Sequence, residues 1–61
     1  MNKYSLINYI KSKLQEVYPT ITKEHMENID TYLRRSADDE IYRLANAIDR
    51  FGVEVIMEVC K

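Results

Sequence analysis

The sequence predicts an all-α protein, a compact three-helix bundle with a short fourth C-terminal helix. Three observations carry that expectation. Apolar residues recur at three- and four-residue spacing along most of the chain, the spacing that places them on one face of a helix. Pro19, the Ser36-Ala37 pair and Gly52 divide these stripes into separate segments. Nothing else in the chain resembles the partner strand that a sheet would need.

In the first segment, from Lys3 to Tyr18, Ile7, Ile10, Leu14 and Val17 form the stripe, with Leu6 and Tyr18 flanking it. Pro19 ends it, because the residue before a proline is pushed out of helical geometry. Thr22 is positioned as the N-cap of the second helix, and Glu24 in its first turn suits the helix dipole. Ile21 and Met26 have the spacing of a hydrophobic staple. Met26, Ile29 and Leu33 make this stripe, with His25 and Tyr32 at its edge. Asp30 and Arg34 stand in the favourable acid-before-base order at i,i+4.

Ser36 is expected to cap the third helix, with Asp39 in capping-box position. The third stripe is Ile41, Leu44, Ile48 and Phe51, flanked by Ala45 and Ala47, whose small side chains permit close helix approach. Asp39 and Arg43 repeat the favourable charge order, and Gly52 is expected at the left-handed C′ position. The final segment reads two ways. Val53, Val55, Met57 and Val59 alternate like a strand, whereas Val53, Ile56, Met57 and Cys60 make a helical stripe with Glu54 and Glu58 outward. With no partner strand in the chain, helix is the expected form; a strand would require exchange with a second molecule.

Size and charge narrow the function. Sixty-one residues, 46% of them hydrophobic and 31% charged, make one small domain over residues 1–61. Such a core supplies roughly 3–5 kcal/mol, so good helix packing, self-association or a partner must supplement it. Cys60 is the only cysteine, which excludes an internal disulfide. Nine basic and ten acidic residues give a net charge of −1, which removes the strongest argument for nucleic-acid binding. Lys3, Lys11 and Lys13 fall before the first acid, while Glu16 to Asp30 carry four acids and one lysine. That asymmetry is expected to reflect packing of the first helix against the remainder.

Neither a secretory signal nor a lipidation motif is visible, so a cytosolic location with a reduced thiol is expected. The first helix is amphipathic and carries three lysines, but the core needs its stripe, so no membrane association is expected. Asn, Lys, Ile and Tyr account for 21 of the 61 residues. Their AT-rich codons point to a low-GC genome, such as a Gram-positive bacterium or its phages and plasmids.

Catalytic chemistry finds no foothold. His25 is the only histidine, and a dyad with Cys60 would require the C-terminus to fold over the second helix. Zinc on His25, Cys60 and carboxylates would break the usual ligand spacings. Asp38, Asp39 and Glu40 are accounted for by the dipole of a first helical turn. A single glycine leaves no phosphate-cradling loop. No catalytic residue, metal or cofactor is therefore expected.

Tyrosine supplies the positive signal, with five in 61 residues. Tyr4, Tyr18 and Tyr32 sit at stripe edges, whereas Tyr9 and Tyr42 point away from their stripes by roughly 100°. Tyr9 and Tyr42, with Arg43 adjacent, are the expected protein-binding patch. The leading expectation is a phage- or mobile-element-encoded modulator, non-enzymatic, that occupies a surface on a larger host protein. The alternative is a nucleic-acid-associated regulator using Arg34, Arg35, Arg43 and Arg50, although Asp38-Asp39-Glu40 would open the recognition helix of any helix-turn-helix. A third reading is a self-assembling bundle whose outward stripe is a homodimer interface.

Within residues 40–60, Ile41, Leu44, Ile48, Asp49, Phe51-Gly52 and Val53-Glu54-Val55-Ile56-Met57-Glu58 resemble part of the C-terminal module of DnaD-like replication proteins. There a helix ends in a similar Phe-Gly or Tyr-Gly and the next carries a Val-Val/Ile-x-Glu pattern. The resemblance covers a third of the chain and implies a helical fold. The family's DNA-contacting Tyr-Ile…Trp element would lie downstream of Lys61, so no functional residue carries over.

Overall fold

Residues 2–59, as described by a computed structural model, form four α-helices: α1 (Lys3–Val17), α2 (Lys23–Arg35), α3 (Asp38–Phe51) and α4 (Glu54–Val59). No strand occurs among the described residues, so the C-terminal segment is helical as far as Val59, while Cys60 lies outside them. The Cα radius of gyration, 10.5 Å, is that of a compact chain of this length. α1 packs on both α2 and α3, and α4 packs on α3. Among the described residues, no helix is long and apolar enough to cross a membrane.

Each stripe delivers its centre to one core. Ile7, Ile10 and Leu14 from α1 meet Ile29 and Leu33 from α2, Ile41 from α3 and Ile56 from α4, all sealed from solvent. Two stripe ends do not enter. Val17 is exposed, and Phe51, expected in the core, is 74% exposed. The reason lies at Gly52, where the chain turns with φ 96° and ψ 170°. This positive-φ, extended conformation is essentially reserved to glycine, and it differs from the left-handed C′ turn expected there. The turn brings Val53 and Ile56 into the core, and they supply the apolar surface that Phe51 would have supplied.

Caps explain the helix starts. The Asn2 side chain accepts from the Ser5 amide at 2.8 Å, and Thr22 Oγ1 accepts from the His25 amide at 3.1 Å. The expected staple residues Ile21 and Met26 are half-buried against the core. Ser36, however, closes α2 instead of opening α3. Its hydroxyl donates to the Tyr32 carbonyl at 2.9 Å, satisfying an acceptor that the helix end leaves open. Ala37 becomes the N-cap of α3, with no side-chain cap bond, and the capping box with Asp39 does not form. Nor do Asp39 and Arg43 pair, since both are exposed and water solvates each charge at little cost. Ala37 already has the extended backbone of an N-cap (φ −68°, ψ 155°). Ala37→Ser is therefore expected to raise stability by about 0.5–1 kcal/mol in thermal melts. An unchanged melting curve would contradict this cap assignment.

The lysines of the first helix grip the second. Lys3 Nζ donates to the carbonyls of Arg34 at 2.7 Å and Ser36 at 2.6 Å, placing a cation on the negative end of the α2 dipole. Lys11 reaches Asp30 Oδ1 at 3.1 Å, while Arg34 Nε donates to Asp30 Oδ2 at 2.7 Å. Burial alone would push the Asp30 carboxyl up. The hydrogen bonds from Arg34 and Lys11, together with their charges, outweigh burial and hold it below its ordinary value of 3.8. With the folded value below the unfolded one, the stabilisation is complete above the unfolded value and is lost as pH falls through the folded one. Asp30→Asn is thus expected to cost about 0.5–1 kcal/mol near neutrality, discounted for the exposure of both cations, and almost nothing in strong acid. Denaturant melts at the two pH values check this; a cost that persisted in acid would contradict it.

Candidate functional site

The two off-stripe tyrosines come from different helices, and the fold brings them to one place. α1 and α3 run in the same direction, because α2 carries the chain back between them. Tyr9 on α1 and Tyr42 on α3 therefore flank a shared groove along the α1–α3 seam. Its floor is Leu6 and Ala45, both nearly buried, and Ser5 and Asn46 complete its walls. The groove is open, with a volume of about 690 Å³ and mostly apolar walls. Tyr42 is 45% exposed and Tyr9 is half-buried.

Polar contacts fix the groove's shape. The Tyr9 hydroxyl donates to the Asp49 carboxylate, linking the two helices across the seam. This hydrogen bond, then burial, then the Asp49 charge hold the phenol above its ordinary value. The Lys13 ammonium stands 5.8 Å from the centre of the Tyr9 ring, a cation–π distance. Tyr9, Lys13 and Asp49 continue into a second hollow that reaches Val17, Gly52 and Val53. Asp49 was not among the expected site residues. Its position seven residues after Tyr42, on the same face of α3, is the signal that would have found it.

Arg43, expected beside Tyr42, is exposed but does not line the groove. One residue along a helix turns the side chain by about 100°, so a neighbour in sequence is not a neighbour on the surface. The four arginines of the nucleic-acid alternative are divided between two helices, Arg34 and Arg35 at the end of α2 and Arg43 and Arg50 on α3. Arg34 is held by Asp30 and lies 5.6 Å from the centre of the Tyr4 ring. Arg35 lines a polar cleft between α2 and α3 with Asn28 and Glu40. Arg43 and Arg50, seven residues apart, share a face of α3.

Among the described residues, no three His, Cys, Asp or Glu side chains converge as metal ligands. His25 is half-buried in the first turn of α2, and Cys60, its only candidate dyad partner, lies outside the described residues. Compared with known proteins, the chain matches no family model, no curated sequence and no solved structure.

Proposed function

We propose that this chain is a non-enzymatic protein-binding module that occupies a surface on a larger protein, in the manner of a phage- or mobile-element-encoded modulator of a host protein. The observation that carries the reading is the convergence of Tyr9 and Tyr42 on one open apolar groove. Tyrosine joins a large rigid apolar area to a polar tip, the combination that anchors protein interfaces. A groove between two packed helices suits a helix or extended segment of the partner. The AT-rich composition is what points to a low-GC host.

The second reading is a nucleic-acid-associated replication accessory, favoured by the DnaD-like pattern of residues 40–60. Arg43 and Arg50 on one face of α3 would be its contacts. Capture from a low-GC Gram-positive lysate by the tagged chain, with and without nuclease, separates the two. One stoichiometric protein retained after nuclease is the expected result. Recovery that disappears with nuclease, and binding that falls steeply with salt, would replace the first reading by the second.

A further inference from the structure

We infer that the α1–α3 groove takes an arginine side chain of the larger protein, with Asp49 as its counter-charge and the tyrosine rings as its walls. This assignment rests on the reading of the groove as a protein-binding surface, and it adds the chemistry of the residue that enters. Among the described residues that line the groove, Asp49 is the single charged one. Its carboxylate accepts from the Tyr9 hydroxyl, a neutral donor, and no ion pair reaches it among the described residues. Lys13 does not line this groove; it lies in the adjoining hollow, with its ammonium 5.8 Å from the centre of the Tyr9 ring. Lys3 is engaged elsewhere, by the carbonyls of Arg34 and Ser36 at the end of α2. The groove therefore carries one negative charge that nothing lining it compensates.

A complementary side chain brings a positive head to one end of the groove and apolar surface along the rest. Tyr42 and Asp49 are seven residues apart on α3, about 10 Å along its axis. Between them the floor is Leu6 and Ala45. The methylene stem of an arginine lies on that floor while its head reaches the carboxylate, as long cationic side chains do on apolar surfaces. Guanidinium suits the place better than ammonium, because it is planar, stacks on aromatic faces and is more weakly hydrated. Lys13 already holds a positive group at cation–π distance from the Tyr9 ring, the same interaction made from the adjoining hollow. The phosphates of a nucleic acid would instead meet Asp49 as like charge, so this groove favours a protein segment.

Amide NMR titration of the full-length chain at low salt, with two blocked tripeptides as probes, tests the assignment. One is acetyl-Leu-Arg-Leu-amide, and the other carries citrulline, which has the shape of arginine without its charge. The arginine peptide is expected to shift the amides of Tyr9, Tyr42, Ala45 and Asn46, and to bind about fivefold or more tighter than the citrulline peptide. Asp49→Asn should bring the two peptides to parity while leaving citrulline binding unchanged. That variant keeps an acceptor for the Tyr9 hydroxyl, and its unchanged citrulline binding shows that the groove is intact. Equal binding of the two peptides, a preference that survives Asp49→Asn, or no shift in the groove overturns the assignment. Groove shifts that grow with the chain's own concentration, without peptide, also overturn it, by making a second copy the occupant. If Tyr42→Ala still loses the captured protein, only the arginine assignment falls; if the captured protein is indifferent to Tyr42→Ala, the groove reading fails and the assignment with it.

Discussion

Replacing Ile56 by alanine is expected to cost about 2–4 kcal/mol, the range for truncating a fully buried aliphatic side chain where the site collapses only in part. Against a core worth roughly 3–5 kcal/mol, that loss leaves much of the chain unfolded at room temperature. The size of the effect follows from where α4 lies. It has six residues and cannot persist as an isolated helix, yet Ile56 is sealed from solvent and Val53 is 3% exposed. The short helix is thus a wall of the core. Phe51→Ser provides the contrast, because Phe51 carries a larger apolar side chain but lies outside the core. Its cost is expected to stay within about 0.5 kcal/mol. Circular dichroism melts of the two variants decide the matter; equal destabilisation would contradict the placement of α4.

Tyr42→Ala is expected to weaken binding of the captured partner by roughly tenfold to a hundredfold, the loss typical of a tyrosine anchor. Stability should change by less than about 0.5 kcal/mol, since Tyr42 is 45% exposed and no part of the buried core. Titration calorimetry with the identified partner gives the first quantity and a thermal melt the second. Tyr9→Phe is the internal control. It keeps the ring against Lys13 and removes only the hydroxyl that donates to Asp49, so its effect on affinity should be the smaller of the two. A Tyr42→Ala variant that bound its partner at full strength would remove the anchor.

Helical spacing made most of the core legible. Ile7, Ile10, Leu14, Ile29, Leu33, Ile41 and Ile48 all fall on the expected stripes and are all buried. The ambiguous C-terminal segment was decided by a global fact, the lack of any strand to pair with. Phe51 misled because periodicity gives the direction of a side chain but not the point where the neighbouring surface ends. Ser36 misled because a hydroxyl between two helices can serve either end. The sequence spacing of Tyr32 and Ser36 fits the bond that closes α2 as well as the alternative fits a cap for α3.

The candidate site was legible only in halves. That Tyr9 and Tyr42 leave their own stripes follows from each helix separately. That they face one another follows only once α1 and α3 are neighbours running in the same direction, a tertiary fact. Arg43 was attached to Tyr42 by adjacency in sequence, whereas Asp49, a helical repeat away, is the residue that shares the groove.

The most direct test of the partner-binding groove is photo-crosslinking with the probe residue at Asn46, on the groove wall, and at Glu27, on α2 and outside the groove. Each labelled chain is mixed with the partner recovered by capture, and the crosslinked peptide is mapped. The expected result is a crosslink to the partner from Asn46 and none from Glu27. Crosslinking from Glu27 alone, or equally from both positions, would contradict the assignment of the α1–α3 groove as the binding surface.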